Sequence, residues 1–284
     1  MSARDGLKLS SPRGRGLRIT ANAVLALISI AFLLPIAWLV LASIDPAATL
    51  SVKVPDGVTL DNFTAVLTPE TTFIPLGNSL LLSGGCALIT VVVAVLAAYP
   101  LSRYRLRVNQ PFLYGVLFGT CLPITAMMVP VYSLFVRFEL IDSIGGTTLF
   151  LAATSLPMAI WMSKNFMDSV PIALEEAAWV DGASMMATLT RVVVPLMRPG
   201  IGVVFIFVFI QAWGNFFVPF ILLLSPERFP AAVSIFSFFG QYGTVLYGQL
   251  AAFSLLYSVP VLALYVLVSR TMGGSSALAG AVKG

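Results

Sequence analysis

Charge is missing from six long stretches of this chain, and its absence decides the solvent. No Asp, Glu, Lys or Arg occurs in residues 19–44, 71–102, 108–136, 143–163, 199–226 or 229–269. A membrane-spanning helix needs about 20 predominantly apolar residues, and every stretch can hold one. Only 10% of the 284 residues are charged, where a soluble domain carries about 25%. The last stretch is long enough for two helices. Gly240, Gln241, Tyr242, Gly243, Gly248 and Gln249 interrupt its first half, which reads as a membrane-edge loop or short helix. The expected fold is an all-α integral membrane protein with six transmembrane helices in residues 21–271. Their spans fall at about 21–43, 78–100, 112–136, 147–166, 199–223 and 250–270. A basic N-terminus, 1–20, precedes them, and a tail, 272–284, follows.

The basic residues set an orientation. Lys and Arg near span ends mark the cytoplasmic side. With six spans, one side collects Arg4, Lys8, Arg13, Arg15 and Arg18, then Arg103, Arg105 and Arg107, then Lys164, Arg191 and Arg198, and finally Arg270 and Lys283. The other side holds only Lys53, Arg137 and Arg228. Both termini are therefore expected in the cytoplasm. The basic N-terminus could suit a signal peptide, but the apolar run after it is too long and lacks a nearby small-residue cleavage site. An uncleaved first span fits better. Beside a span, these basic residues serve orientation rather than nucleic acid. The external loop, 45–77, is acidic (Asp45, Asp56, Asp61, Glu70) and rich in turns, and is suited to a cap or docking surface.

Several function classes are disfavoured. Proton-driven carriers place Asp, Glu or His within the membrane, and voltage sensors place Arg there. Nearly all span positions are uncharged, so neither pattern is present, and the chain has no histidine at all. A phosphate-binding G-x-x-x-x-G-K-[ST] loop is also absent from the sequence, so any energy from nucleotide must enter through another chain. No metal site is expected. Cys86 and Cys121 lie in apolar stretches and read as small packing residues.

Polar side chains in spans mostly join helices through hydrogen bonds. The run QAWGNFF, 211–217, is more suggestive, because it gathers two amides and an indole near mid-span. Asn78, Gln211, Trp213 and Asn215 are the candidate pore or solute contacts. Pro123, Pro130, Pro219 and Pro260 free backbone carbonyls within spans, as packed kinks or as hinges.

Between spans four and five lies an unusual segment, 168–198. Glu175, Glu176 and Asp181 precede Arg191 and Arg198 here, around a glycine. Pro171 suits a first helical turn, with Asp168 or Ser169 as cap. Glu175 and Glu176 then sit early in the helix, where the dipole favours negative charge. Leu174, Ala177, Ala178 and Asp181 share a face. Gly182 stands where a helix can end in the left-handed conformation, and Ser184 can cap a second helix. An elbow lying flat on the bilayer and a short helix offered to a cytosolic partner both fit.

The stretch EAAWVDGASMMATLTRVVVPLMRP resembles the EAA loop of ABC importer permeases, a pattern close to E-A-A-x-x-D-G-A followed by I-x-L-P. Glu176, Ala177, Ala178, Asp181, Gly182, Ala183 and Pro195 match it, with Val192 and Val194 in the aliphatic places. TLDNFTAVL, NSLLLSGG, AAYPLSRYRL and LPMAIWMSKNF are similar to carbohydrate-uptake permeases. The tail AGAVKG resembles the end of the second permease of maltose- and glycerol-3-phosphate-type systems. Pro100 stands where such permeases often have Ala, which would kink the end of span two.

The resemblance implies a permease subunit in a bacterial-type inner membrane, translocating a sugar or related polyhydroxy solute by alternating access. It implies four kinds of partner: a second homologous permease, two ATPase subunits that bind ATP and Mg, an extracytoplasmic solute-binding protein, and the lipid bilayer. Glu176–Pro195 would be the ATPase-coupling loop. Ala281, Val282, Lys283 and Gly284 would reach the ATPase. A stand-alone passive channel or secondary carrier, and a non-transporting assembly subunit, are the alternatives.

Overall fold

The computed structural model describes residues 12–104, 107–240 and 245–272, with the backbone alone for 12–18 and 271–272. Its helices are α1 (Pro12–Ser43), α2 (Asp61–Val66), α3 (Ile74–Arg103), α4 (Asn109–Gly119), α5 (Ile124–Arg137) and α6 (Ile144–Asp168). There follow α7 (Ile172–Val180), α8 (Met185–Thr188), α9 (Val194–Leu196), α10 (Arg198–Trp213), α11 (Phe217–Leu222), α12 (Ala231–Ser234) and α13 (Tyr247–Met272). Among the described residues, four helices are long and apolar enough to cross a membrane: Ile19–Ser43, Pro69–Arg103, Ile144–Asp168 and Tyr247–Arg270.

The count reaches six only if each of two bent pairs forms one span. The windows expected as spans 112–136 and 199–223 are not single straight helices. In the first, α4 and α5 meet at 90°, and Pro123 sits just before α5 with an extended backbone. Proline disfavours helix in the residue before it, so the chain turns there. In the second, α10 ends at Trp213 and α11 begins at Phe217, leaving the Gly-Asn pair of QAWGNFF in the gap. At its other end, α10 bends 78° from the helical run Met185–Leu196.

The chain divides into two compact units, 1–66 with 240–255 and 67–239 with 256–284. In the first, Asn62 closes the end of α1: its Nδ2 donates to the carbonyls of Ser43 at 3.1 Å and Asp45 at 3.0 Å. A helix leaves its last carbonyls without partners, and this amide supplies one. Asp45 is buried, accepts from the Ala47 amide and pairs with Lys53 at 3.3 Å. Gly248 must be small, because a Cβ there would stand 2.5 Å from the Asn62 amide group.

The second unit is built on α3, which packs along α6 and α10. Leu82, Cys86, Ala94 and Ala98 recur at helical spacing on its buried face, with Ala152 and Ala159 of α6 and Val204 and Val208 of α10. Small residues let membrane helices approach closely. Cys86 is a packing residue as expected, whereas Cys121 is exposed at the bend after α4. Pro100 does not end α3, which continues to Arg103. Two π-helical turns, Pro69–Phe73 and Leu189–Val193, each lead directly into an X-Pro pair, Ile74-Pro75 and Val194-Pro195. Proline clashes with the carbonyl four residues back, and the wider turn relieves that clash.

Gly200 of α10 makes the closest approach in this unit. A Cβ would lie 2.4 Å from the Phe166 ring. Gly200→Ala is expected to cost about 1–3 kcal/mol through overpacking. Gly84→Ala, with nothing within 4 Å, is expected to gain up to about 1 kcal/mol from helix propensity. Thermal unfolding in detergent checks the opposite signs.

Candidate functional site

The loop between α6 and α10 folds as the two helices around a glycine that the sequence suggests. α7 ends in a double backbone closure. The Ala183 amide donates to Ala178 O at 2.9 Å and the Gly182 amide to Trp179 O at 3.0 Å, which is the Schellman pattern. It needs a left-handed residue, and Gly182 has φ +83°. Ser184 then caps α8, its hydroxyl accepting from the Ala187 amide at 3.3 Å. The start of α7 differs from expectation. Asp168 is the last residue of α6 and Ser169 its C-cap, and α7 begins after Pro171 with no side-chain cap. Asp168 is occupied instead by Lys164 at 2.6 Å and the Ser102 hydroxyl at 2.5 Å.

Neighbouring residues on a helix point about 100° apart, so the two glutamates separate. Glu176 is exposed, with Ala177, Asp181 and Gly182, while Ala178, Ala183 and Pro195 are half-buried. Glu175 has no exposed surface at all. Its Oε1 accepts from Arg103 Nε at 2.6 Å and its Oε2 from the Tyr99 hydroxyl at 2.9 Å. Arg103, at the end of α3, has a side chain 6% exposed. It also donates to Val170 O at 3.1 Å, in the link between α6 and α7, and to Ser102 Oγ at 3.0 Å. A polar group buried without such partners would be costly.

The loop thus inverts the usual distribution. It buries a carboxylate and exposes Trp179 at 43%, Val180 at 87%, Met185 and Met186. An exposed apolar patch beside charged residues marks an interaction surface. Sequence reasoning missed Glu175, Tyr99 and Arg103. Arg103 stood with Arg105 and Arg107 as an orientation signal. The available clue was the Glu-Glu pair, since one helix face cannot present both.

The pore candidates are not gathered into one site. Asn78 Nδ2 donates to Glu227 O at 2.8 Å and Phe229 O at 3.1 Å. It fastens the start of α3 to that segment, next to Ser79, whose hydroxyl accepts from the Ala231 amide. Asn215 Oδ1 accepts from the Val218 amide at 3.1 Å in the first turn of α11. Trp213 is buried between the rings of Phe209 and Tyr257 at 5.5 and 5.3 Å. Its indole N–H has no partner among the described residues. Gln211 alone of the four is exposed. Ala281, Val282, Lys283 and Gly284 lie outside the described residues.

At the other end of α6, about 37 Å along its 25 residues, Asp142 clamps the α5–α6 loop. Its carboxylate accepts from the Leu224 amide at 2.9 Å and from the Ser225 amide and hydroxyl, and it pairs with Arg228 at 3.2 Å. Burial alone would raise this carboxyl. The Ser225 and Leu224 bonds and the Arg228 charge outweigh burial and hold it below its ordinary value. A depressed folded value means that the clamp stabilises fully above the unfolded carboxylate pKa, about 3.9, and is lost as pH falls through the lower folded value. Asp142→Asn keeps a residue that tolerates the local φ of +59° but removes the charge. It is expected to cost about 1–3 kcal/mol at neutral pH and to flatten the acid limb of stability, measured by thermal unfolding from pH 7 to pH 3.

A helical chain of apolar spans that carries an exposed loop of charged and apolar residues has the architecture of an integral membrane protein. Residues 90–274 match the model of the binding-protein-dependent transport system inner membrane component family. The chain belongs to this family: it is the inner-membrane permease component of an ABC importer, and the ATPase is a separate subunit. A Streptomyces antibioticus protein described as an ABC transporter permease is 38% identical over 206 residues, 72% of this chain and 89% of that one. A trehalose transport system permease protein of Mycobacterium tuberculosis is 30% identical, covering 94% of this chain and 98% of its own. Among solved structures, a chain of a bacterial ABC transporter involved in import of the acidic polysaccharide alginate superposes with TM-score 0.78 at 21% identity, covering 92% of this chain and 98% of that one.

Proposed function

We propose that this chain is a six-span permease for a sugar or related polyhydroxy solute, with both termini and the α7–α9 loop in the cytoplasm. It pairs with a second homologous permease and two ATPase subunits, which bind ATP and Mg, and receives solute from an extracytoplasmic binding protein. Transport proceeds by alternating access. Closure of the ATPase dimer moves the loop Glu176–Pro195, and the spans reopen outward. A partner can drive this only by favouring one conformation over another.

One observation carries the reading. The loop turns Glu176, Ala177, Asp181 and Gly182 outward beside Trp179, Val180 and Met185, a small polar and apolar surface offered to a partner. The sugar class is supported by the names of relatives such as the trehalose permease. The spans carry basic and acidic side chains only toward their ends, which favours an uncharged solute.

The test is a mild-detergent pull-down of the chain, tagged at its N-terminus, from its own cells. A second six-span permease and an ATPase in stoichiometric amounts are the expected result. A chain that purifies alone, where other complexes stay intact, would overturn the proposal.

A further inference from the structure

The buried pair Arg103–Glu175 is more than a packing detail, and four observations say what it does. It joins two different elements, the last turn of the long helix α3 and the loop helix α7. It is not needed to finish α3, because Asn109 Nδ2 already donates to Leu101 O and Tyr104 O there. It is not isolated. Lys164, Asp168, Ser102, Arg103, Glu175 and Tyr99 form one continuous polar chain that ties the ends of α3 and α6 to α7. It is also a poor way to gain stability, since a buried ion pair is often matched or bettered by apolar residues of similar volume.

Direction is what the pair adds. Apolar contacts are non-directional, so two helices packed by them alone can slide or roll. Arg103 holds α7 through Glu175 and holds the preceding link through Val170 O, from one planar guanidinium with fixed donor angles. Tyr99, one helical turn earlier on α3, takes the second carboxylate oxygen. Three bonds from one face of α3 fix both the position and the rotation of α7.

We infer that Tyr99, Arg103 and Glu175 form the rigid joint through which movement of the docking helix is passed to α3. They are positioning residues: none belongs to the exposed docking surface, and they act through it. The inference rests on the reading that this loop docks on an ATPase. Glu175 and Glu176 then divide the work, one anchoring α7 to its own membrane domain and the other facing the partner.

The test separates stability from transmission. In a background with Cys86→Ala and Cys121→Ser, spin labels are placed on cysteines at Leu96 of α3 and Ile172 of α7, both exposed. The complex is purified with its ATPase, and the inter-label distance is read by pulsed electron paramagnetic resonance, without nucleotide and after trapping with ATP and vanadate. The original pair is expected to give one narrow distance in both states, α3 and α7 moving together. The double variant Arg103→Met with Glu175→Met removes both charges and fills the space. It is expected to retain the ATPase but to show a second, displaced distance population on trapping.

An unchanged single distance in the double variant overturns the inference and leaves the pair a structural role only. Loss of ATPase from the double variant alone also overturns it, since the pair would then shape the docking face. If the original chain brings down no ATPase, the proposed function fails first, and the inference falls with it. The pull-down distinguishes that case from the others.

Discussion

Glu175→Ala is expected to destabilise the permease by about 3–5 kcal/mol, the largest stability effect of any single substitution considered. The reason is the charge left behind. The Arg103 guanidinium, with its side chain 6% exposed, loses the one acid that pairs with it. Removing one partner of a buried pair costs about this much, whereas removing both and filling the space can cost nothing. The prediction therefore has an internal control. Arg103→Met combined with Glu175→Met is expected to unfold near the original temperature, while either single change lowers it sharply. Glu175→Gln should fall between, because its amide still has an oxygen to accept from Arg103 or Tyr99. Thermal unfolding in detergent, followed by intrinsic fluorescence, gives all five values. Equal losses in single and double variants would mean that packing, not charge, dominates this site.

Much of this architecture was legible because lipid imposes a simple rule on sequence. An uncharged run of sufficient length has few alternatives to a spanning helix, so the apolar runs behind α1, α3, α6 and α13 could be placed from charge alone. The elbow was readable for a local reason. Gly182 stands six residues after Glu176, and Ser184 follows two later, so the end of one helix and the start of the next are written in adjacent residues.

The failures have physical causes as well. Lack of charge says that a segment can enter lipid, not that it enters straight. The bend between α4 and α5 depends on a proline's effect on its neighbour, and the gap between α10 and α11 on a Gly-Asn pair in an apolar run. The solute candidates were chosen by chemical type. Asn78 and Asn215 are instead spent on backbone groups at chain breaks, where an amide has most to offer a helix end. The Glu175–Arg103 pair joins residues 72 positions apart, and nothing local in either segment announces the other. One loop cap failed for a related reason. Asp168 was read as a cap of α7, but Ser102 of α3 and Lys164, one turn back on α6, claimed it.

Gly182→Asp is expected to abolish transport while leaving insertion and protein level unchanged. Two explanations compete, and the structure allows them to be separated. Gly182 has φ +83°, and a Cβ there would meet nothing within 4 Å, so crowding within the chain is excluded. What remains is backbone strain or charge. A residue with a Cβ in the left-handed region costs about 1–2 kcal/mol, but Asn and Asp tolerate it better than Ala. Strain alone therefore ranks Ala as the worst substitution and makes Asp and Asn alike. Charge gives a different order. Asp would add a third carboxylate to the exposed surface of Glu176 and Asp181 and would have to be desolvated against the ATPase without a partner. Unpaired or like charge at an interface costs several kcal/mol, and each 1.4 kcal/mol is about tenfold in affinity. The expected order of retained ATPase, and of ATP-dependent uptake of the solute carried by the co-purified binding protein, is Gly then Asn, then Ala, with Asp lower by roughly tenfold or more. Equal retention by Asp and Asn would rule out charge and leave the turn itself as the determinant. Full retention and uptake by Asp would mean that this face of the loop is not the one the ATPase grips.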